Sequence, residues 1–218
     1  MEVVAIVAAA GLGTRLGRGS KALVQLNGRT LLARAVELFL ALDEVTRIVV
    51  VGPPERLEAA GAEVKALLPR KSVDVCPGGE SRQQSVRAGL LRLAGADYVL
   101  VHDAARPLLP DEVIGRLIGA LGEGYDGAVP VLPVTDTVKR VRDGVVDETL
   151  VRDELVSVQT PQAFAAPALR AALAAGAEGP DCASLVEANG GRIRTVEGDE
   201  RLLKVTTRAD LERVAAWL

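Results

Sequence analysis

Runs of consecutive apolar residues, many of them β-branched, alternate along this chain with segments of helical periodicity. The runs lie at residues 3–7, 48–51, 73–76, 98–101 and 128–131. Because each run is continuous instead of alternating apolar with polar residues, it predicts a strand that is buried on both faces. Such strands are typical of a parallel sheet that is covered by helices on each side.

Helical segments fill the intervals between these runs. They cover residues 31–42, 55–68, 81–93, 111–121, 166–175, 182–188 and 208–218. A further strand is predicted at residues 192–196. Strands and helices that alternate in this way indicate an α/β fold with a doubly wound, mostly parallel sheet, which has three layers.

Residues 133–158 break the alternation. This segment is rich in Val and Thr, and Asp143-Gly144 lies in its middle, which predicts a β-hairpin with an Asp-Gly turn. A lone two-stranded ribbon is marginally stable in water. We therefore expect this β-arm to reach across to a second copy of the chain in a homodimer, with folding back on its own domain as the alternative. Residues 1–218 otherwise contain no linker or repeat and are expected to form one domain.

Composition excludes several classes of protein. The 218 residues are 49% hydrophobic and carry a net charge of −3, so a sizeable core is expected and a general nucleic-acid binder is not. No apolar run approaches the ~20 residues that a membrane-spanning helix needs. Glu2 stands where a secretory signal would carry basic residues. Cys76 and Cys182 lie far apart without metal-ligand spacing, as expected of reduced thiols in a cytoplasmic protein.

A glycine-rich loop follows the first strand. Gly11 and Gly13 allow backbone amides to approach an anion closely, and Arg15 and Lys21 add positive charge to the same loop. Loops at the carboxyl ends of parallel strands bind ligands in this architecture. The loop therefore favours a ligand that carries phosphate.

Two common phosphate-binding patterns do not fit this loop. Leu16 occupies the third glycine position of the dinucleotide fingerprint, and no acidic residue closes the second strand to bind a ribose. A Walker-type loop needs Gly-Lys-Ser/Thr, whereas Lys21 here follows Ser20 and precedes Ala22. A nicotinamide-dependent oxidoreductase is thus disfavoured.

Two further groups of polar residues follow later strands. Gly78-Gly79 opens a helix in which Ser85 should face the ligand one turn in. After the fourth strand, Asp103 offers a hard oxygen ligand for Mg²⁺, which takes one or two carboxylates together with substrate phosphate oxygens. His102 is the sole histidine and is expected to be structural and not a general base.

Ordered along the whole chain, these groups resemble the 2-C-methyl-D-erythritol 4-phosphate cytidylyltransferase family. The matching motifs are Ala8-Ala9-Ala10-Gly11-Leu12-Gly13 with Arg15 and Lys21, Gly78-Gly79 with Arg82 and Ser85, His102-Asp103-Ala104-Ala105-Arg106-Pro107, Asp136-Thr137 with Lys139, Thr160-Pro161-Gln162 and Lys204-Val205-Thr206. The resemblance implies a Rossmann-like nucleotidyltransferase with a protruding, dimer-forming β-arm. Its activity would be the transfer of CMP from CTP to the polyol phosphate, with Mg²⁺ as cofactor.

The resemblance also implies roles for individual residues. Catalytic contacts to the phosphates would come from Arg15, Lys21 and Lys204. The nucleotide would be bound by Ala10, Gly11, Gly13, Gly78, Gly79, Arg82, Ser85, Asp103 and Ala104, with Asp103 also holding the metal. The methylerythritol phosphate would be bound by Thr137, Arg152, Arg106 and Thr160, the first two on the arm of the neighbouring subunit.

This chain departs from the family's usual pattern at three places. Ser20 and Ala22 flank Lys21 where other residues are usual, Cys182 stands in place of a carboxylate, and Arg201-Leu202 replace an acid and Asn before Lys204. Alternatives therefore stay open: ribitol-5-phosphate cytidylyltransferase, another sugar-phosphate or molybdopterin nucleotidyltransferase, or a nucleotide-binding regulatory module without catalysis.

Overall fold

The predicted apolar runs form the centre of a β-sheet with helices on both faces. This computed structural model describes residues 1–11, 20–176 and 179–218. The strands are β1 (Val3–Ala8), β2 (Gln25–Leu26), β3 (Arg29–Thr30), β4 (Val45–Gly52), β5 (Ser72–Pro77), β6 (Tyr98–Asp103), β7 (Gly127–Pro133), β8 (Lys139–Arg142), β9 (Val145–Thr149), β10 (Val156–Val158), β11 (Gln162–Ala165) and β12 (Ile193–Glu197). The α-helices are α1 (Leu31–Ala41), α2 (Leu57–Ala66), α3 (Arg82–Leu90), α4 (Asp111–Gly122), α5 (Ala166–Ala174), α6 (Cys182–Ala188) and α7 (Arg208–Ala215).

The order of the strands creates a crevice beside β1. Strands β5, β4, β1 and β6 lie side by side and are all parallel, so the chain leaves β1 on one side and later returns to its other side. Ligands of doubly wound sheets bind at such a switch point, outside the carboxyl ends of the strands. Ala8 at the end of β1 is aligned with Asp103 at the end of β6. The register thus places Asp103 beside the end of β1, after which the glycine-rich loop begins in the sequence.

An antiparallel strand interrupts the other half of the sheet. Strand β11 pairs with both β6 and β7, β10 also pairs with β7, and β12 runs parallel to β7. The sequence does not predict β10 or β11, because each spans only three or four residues. The sheet is nevertheless mostly parallel and flanked by helices, which confirms the predicted fold class.

Both faces of the central strands are buried, as the continuous runs predict. In β1, Val3, Ala5 and Val7 pack with α1, α2 and α4 on one face, whereas Val4 and Ile6 pack with α3, α5 and α6 on the other. Each fully buried Val or Ile side chain stabilises the fold by about 1.5–3 kcal/mol relative to an exposed one. A strand that is covered on both sides is held rigidly, and the loops at its end therefore have a fixed base.

Within the arm predicted over residues 133–158, residues 139–149 form the predicted hairpin, whereas residues 156–158 pair with β7 in the main sheet. The turn residues Asp143 and Gly144 have φ of 48° and 80°, the left-handed conformation that a two-residue hairpin turn requires. Strands β8 and β9 form a separate two-stranded sheet, and every residue in them is exposed. A second hairpin, β2–β3, turns at Asn27-Gly28, a local turn signal that is absent from the predictions above.

Three helices are at least three residues shorter than the sequence predicts. The helix predicted over residues 81–93 spans Arg82–Leu90. The segment predicted as one helix over residues 55–68 begins with a 3-10 turn at Pro54–Arg56, and the helix itself ends at Ala66. The last helix begins at Arg208, where Thr207 and Asp210 form a capping box, and ends at Ala215. In the part of the chain that the structure describes, no helix combines the length and the apolar character needed to cross a bilayer.

Two helical glycines predict opposite effects of the same substitution. A Cβ at Gly89 of α3 would lie 2.9 Å from Val51 Cγ2 and 3.0 Å from Ile6 Cγ2, whereas one at Gly115 of α4 would meet open space. We expect Gly89→Ala to lower the free energy of unfolding by about 1–2 kcal/mol, because overpacking outweighs the gain in helix propensity. Gly115→Ala should raise it by up to about 1 kcal/mol. Urea unfolding of both variants measures the difference, and a shift of the same sign in both would contradict this packing.

Candidate functional site

A cavity of about 510 Å³ opens at the switch point of the sheet. Its walls come from the ends of β1 and β6, the start of α3, and two loops that bring lysines to it. The predicted site residues in its lining are Ala10, Gly11, Lys21, Gly79, Arg82, Ser85, Asp103, Ala104 and Lys204. The cavity therefore gathers residues from both ends of the chain, as the predicted phosphate site requires.

Asp103 is the charged centre of this cavity. Its Oδ2 accepts a hydrogen bond from Lys204 Nζ at 2.7 Å, and its Oδ1 lies 3.3 Å from Arg82 Nη2. Burial opposes ionisation of this carboxyl, but the charges of Arg82 and Lys204 outweigh that effect and hold the pKa of Asp103 below its usual range. Asp103 is therefore an anion held between two cations that lie far from it in the sequence.

A chain of hydrogen bonds fixes the backbone at Asp103. The Asp103 amide donates to Thr160 Oγ1 at 3.1 Å, and this hydroxyl lies 3.3 Å from His102 Nδ1. His102 Nε2 lies 2.9 Å from the carbonyl oxygen of Arg106. Since that carbonyl can only accept, Nε2 carries the proton and Nδ1 accepts from Thr160. Thr160 thus supports the site from below, with its hydroxyl already bonded on both sides.

His102 is a structural group, as the sequence predicts. Its ring is fully buried and packs edge-on against Phe39, with the ring centroids 5.3 Å apart. Burial lowers the pKa of His102 to about 4, so the ring is neutral at physiological pH. It does not line the cavity, where a general base would need to stand.

The loop at Gly78-Gly79 is shaped by close contacts. A Cβ at Gly78 would lie 2.4 Å from the Ala10 Cβ and 2.8 Å from Ser85 Oγ, a distance that no side chain tolerates. Ser85 Oγ accepts from the Gly79 amide at 3.1 Å and donates to the Ser81 carbonyl at 2.9 Å. Ser85 therefore holds the loop against α3, while Gly78 lets the loop approach the first strand.

Arg82 and Arg106 are held by groups around the cavity. Arg82 Nη1 donates to Cys182 Sγ at 3.3 Å, and burial raises the pKa of that thiol, so Cys182 stays neutral. Arg106 Nη1 donates to the carbonyl of Leu202, two residues before Lys204. Arg106, predicted to bind substrate, thus ties the loop of Lys204 to the end of β6.

The remaining predicted residues lie elsewhere. Thr137 and Arg152 are exposed on the arm, where Arg152 donates to the Thr135 carbonyl at 2.8 Å, and neither lines the cavity of its own chain. Gly13 and Arg15 lie outside the described residues. In this structure these two arm residues therefore contribute nothing to the cavity of their own chain.

The sequence does not predict that some residues line the cavity. Pro54 and Glu55 follow β4 and contribute to the lining beside the ends of β1 and β4. Because Pro-Glu after a strand is ordinary in a turn, nothing in the sequence singled out this pair. Glu80, in contrast, adjoins the predicted glycines, and its place in the lining follows from theirs.

Comparisons with known proteins agree on one family. The family model described as 2-C-methyl-D-erythritol 4-phosphate cytidylyltransferase matches residues 3–218. A relative of that name from Rhodococcus jostii is 49% identical over 213 residues, which cover 96% of this chain and 92% of the relative. A bifunctional enzyme IspD/IspF from Clavibacter michiganensis is 50% identical, and this chain spans only 52% of its length.

A solved structure agrees with these relatives. The crystal structure of 2-C-methyl-D-erythritol 4-phosphate cytidylyltransferase from Thermus thermophilus is 35% identical to this chain. Its TM-score is 0.79, with 100% of this chain and 98% of that one covered. The likeness therefore extends over the whole length of this chain.

The buried histidine predicts how stability depends on pH. In the unfolded chain His102 titrates near 6.5, so between pH 6.5 and about 4 the unfolded state binds a proton that the folded state excludes. The free energy of unfolding should therefore fall as the pH falls through this window, by roughly 3 kcal/mol in total. Urea unfolding at pH 7, 6 and 5 should show this slope in the parent chain and a flatter one in His102→Gln. Equal slopes in the two chains would refute the assignment.

Proposed function

This chain belongs to the 2-C-methyl-D-erythritol 4-phosphate cytidylyltransferase family, and from that premise we infer that its cavity transfers CMP from CTP to 2-C-methyl-D-erythritol 4-phosphate. The products are CDP-methylerythritol and pyrophosphate, as in the synthesis of isoprenoid precursors without mevalonate. The observation that carries this inference is the meeting of Lys21, Lys204 and Asp103 in one cavity at the switch point. A pocket for a triphosphate needs such cations because two anions must approach each other.

The reaction requires positive charge and correct positioning of the substrates, and it does not require a general base. A phosphate oxygen of the acceptor attacks the α-phosphorus of CTP, a new P–O bond forms, and the bond to the bridging oxygen breaks as pyrophosphate leaves. The second pKa of a phosphate monoester is about 6, so the attacking oxygen is already anionic at neutral pH. Catalysis is then largely alignment and stabilisation of negative charge. The burial of His102 away from the cavity agrees with a reaction that needs no general base.

We propose that the cations of the cavity divide the work between the CTP phosphates and the reacting phosphorus. Lys21 and Arg15 would hold the CTP phosphates, and Lys204 would stabilise the charge that develops at the reacting phosphorus. Lys204 is 45% exposed and close enough to the cavity to reach an incoming phosphate. Ala10, Gly11 and Gly13 would approach the nucleotide by backbone. The amide-rich turn at Gly78-Gly79, supported by Ser85, would contact the base.

Asp103 fits the role of a ligand for a divalent cation. Its carboxyl is ionised, and its donor atoms are the hard oxygens that Mg²⁺ prefers. Among the described residues no cluster of three or more His, Cys, Asp or Glu side chains forms a complete cage. Phosphate oxygens and water would therefore supply the other ligands, as is usual for Mg²⁺. The bound ion would offset negative charge on the phosphates, and Asp103 would exchange contacts with Lys204 or Arg82 to hold it.

We propose that the arm, residues 133–158, serves the cavity of a second copy in a homodimer, while residues 1–218 form one domain. Val141, Val145 and Val146 on the hairpin are 54%, 70% and 55% exposed, although apolar side chains on a strand pair are normally covered. Arg152 would then bring its guanidinium to the acceptor phosphate in the neighbouring site, next to Thr137. Both cysteines are free and buried, which supports a reducing, cytoplasmic location.

An acceptor panel tests the function directly. Pyrophosphate release is measured with each of the four NTPs and Mg²⁺, using methylerythritol phosphate, ribitol 5-phosphate and sugar 1-phosphates as acceptors. Release only with CTP and methylerythritol phosphate supports the proposal. Preference for ribitol 5-phosphate or a sugar phosphate would assign a sister activity. Thermal stabilisation by CTP with no release for any acceptor would instead indicate a nucleotide-binding module.

Removing a single cation should slow turnover with little loss of fold. We expect Lys21→Ala and Lys204→Ala each to lower kcat by about 10²–10³, or ~3–4 kcal/mol, because a fixed charge at the reacting phosphates is lost. Lys65→Ala, on the exposed face of α2, is the matched control and should retain activity. Steady-state pyrophosphate release and circular dichroism measure the two effects. Turnover within tenfold of the parent in both variants would remove these lysines from the mechanism.

Mixing two impaired variants, assayed at an acceptor concentration well below the KM of Arg152→Ala, tests whether the arm acts in the other subunit. Arg152→Ala should chiefly raise the KM for the acceptor, since the guanidinium would bind its phosphate. When Lys21→Ala and Arg152→Ala chains are refolded together, about half of the dimers are mixed, and each has one site with both residues intact. Activity should then recover to about a quarter of the parent value. No recovery despite mixed dimers would mean that the arm serves its own chain.

A further inference from the structure

Gln159 lies between the arm and the cavity and uses its side chain to hold another loop. It follows β10 directly, is 5% exposed, and its amide donates to the Pro130 carbonyl at 2.8 Å. Its side-chain Nε2 donates to the Asp199 carbonyl at 2.8 Å, and its Oε1 accepts from the Asp199 amide at 3.1 Å. One side chain thus pairs with both backbone groups of a residue that lies 40 positions away.

The partner segment is shaped to receive this amide. A Cβ at Gly198 would lie 2.2 Å from Gln159 Oε1 and 2.9 Å from the Val131 carbonyl, so glycine alone permits the approach. The Gly198 amide donates to that same Val131 carbonyl at 2.9 Å. The segment after β12 therefore packs both against β7 and against Gln159. We call Gln159, which follows β10, the foot of the arm.

From Asp199 the chain reaches Lys204 through a short and well-anchored turn. The Asp199 side chain caps the 3-10 turn at Glu200–Leu202, and its carboxylate also binds the Arg201 guanidinium. Leu202 is fully buried, and the Val205 amide donates to the Ala105 carbonyl at 2.8 Å. With both ends of residues 199–205 fixed, the position of Lys204 depends on where Asp199 is held.

We propose that Gln159 is a positioning residue that sets the place of Lys204 in the cavity and so couples the foot of the arm to the reacting phosphates. The proposal rests on the proposed function only for the reaction that Lys204 serves. Its physical content is that the two hydrogen bonds to Asp199 keep Lys204 Nζ within reach of Asp103, at 2.7 Å. Gln159 itself touches neither substrate nor cavity, since it does not belong to the cavity lining.

A double-mutant cycle tests this coupling. Gln159→Leu keeps the volume but loses both bonds, and we expect kcat to fall about tenfold or more, with the KM for CTP within about twofold of the parent. In a Lys204→Ala background the same substitution should change kcat by no more than about twofold, because its effect acts through the lysine. Gln159→Glu, the second variant, loses only the hydrogen-bond donor and should also lower kcat when Lys204 is intact. A loss that is equally large in both backgrounds would overturn the proposal.

A control variant and a measurement without catalysis separate positioning from general damage. Gln162 is 1% exposed and bonds to Asp181 instead, so the kcat effect of Gln162→Leu should be equal in the two backgrounds. The chain has five lysines, which allows acylation by acetic anhydride to be followed at each one by mass spectrometry. Lys204 should react at least about threefold faster in Gln159→Leu than in the parent or in Gln162→Leu, because its pairing with Asp103 is loosened.

Pyrophosphate release and the labelling of Lys204 distinguish a failure of the proposed function from a failure of the inference about Gln159. If the parent chain releases no pyrophosphate from CTP with any acceptor, the proposed function is wrong, while the labelling of Lys204 still tests the link from Gln159. If the parent is active but Lys204 labelling is the same in all three chains, Gln159 does not position the lysine and the inference is wrong.

Discussion

The site depends on one buried carboxylate that must keep its charge. Asp103 is 8% exposed, and an ionised carboxyl so far from water is tolerated only when cations and hydrogen-bond donors surround it. Arg82 from the start of α3 and Lys204 from the loop after β12 supply the charges. The hydroxyl of Thr160 accepts a hydrogen bond from the backbone amide of Asp103. Three segments that are distant in sequence thus meet at the end of β6, where each contacts Asp103. The same arrangement leaves cations at the mouth of the cavity, where a phosphate can compete for them.

The sheet decides where this carboxylate stands. Because β1 and β6 are parallel neighbours with their chains departing in opposite directions, their carboxyl ends open onto a crevice. Their central position, with apolar side chains packed on both faces, makes the ends of these strands rigid. Rigidity matters for a reaction in which alignment supplies much of the rate. The connection between β10 and β11 carries Thr160 to the Asp103 amide and Gln159 to the backbone of Asp199.

Patterns within single segments of the sequence predict much of this architecture. They do not predict the contacts between distant segments. The continuous valine-rich runs predicted the parallel core, and Asp143-Gly144 predicted the exposed hairpin, since both signals are local. The ion pair between Asp103 and Lys204 joins positions 101 apart, and only an ordered set of family motifs suggested that the two meet. Strands β10 and β11 were missed because they are short and owe their pairing to the strands beside them. The roles of Thr160 and Arg106 at the substrate stay a prediction. The hydroxyl of Thr160 bonds to the Asp103 amide and Nη1 of Arg106 bonds to the Leu202 carbonyl, contacts that residue type alone does not predict.

The most direct test is a crystal structure of this chain with CTP and Mg²⁺. We predict that the triphosphate lies in the cavity between Lys21 and Lys204, that the metal contacts Asp103, and that the ion pair of Asp103 with at least one of its present cations is broken to admit it. CTP bound away from the carboxyl ends of β1 and β6, with the Lys204–Asp103 and Arg82–Asp103 pairs both intact, would contradict this assignment of the site.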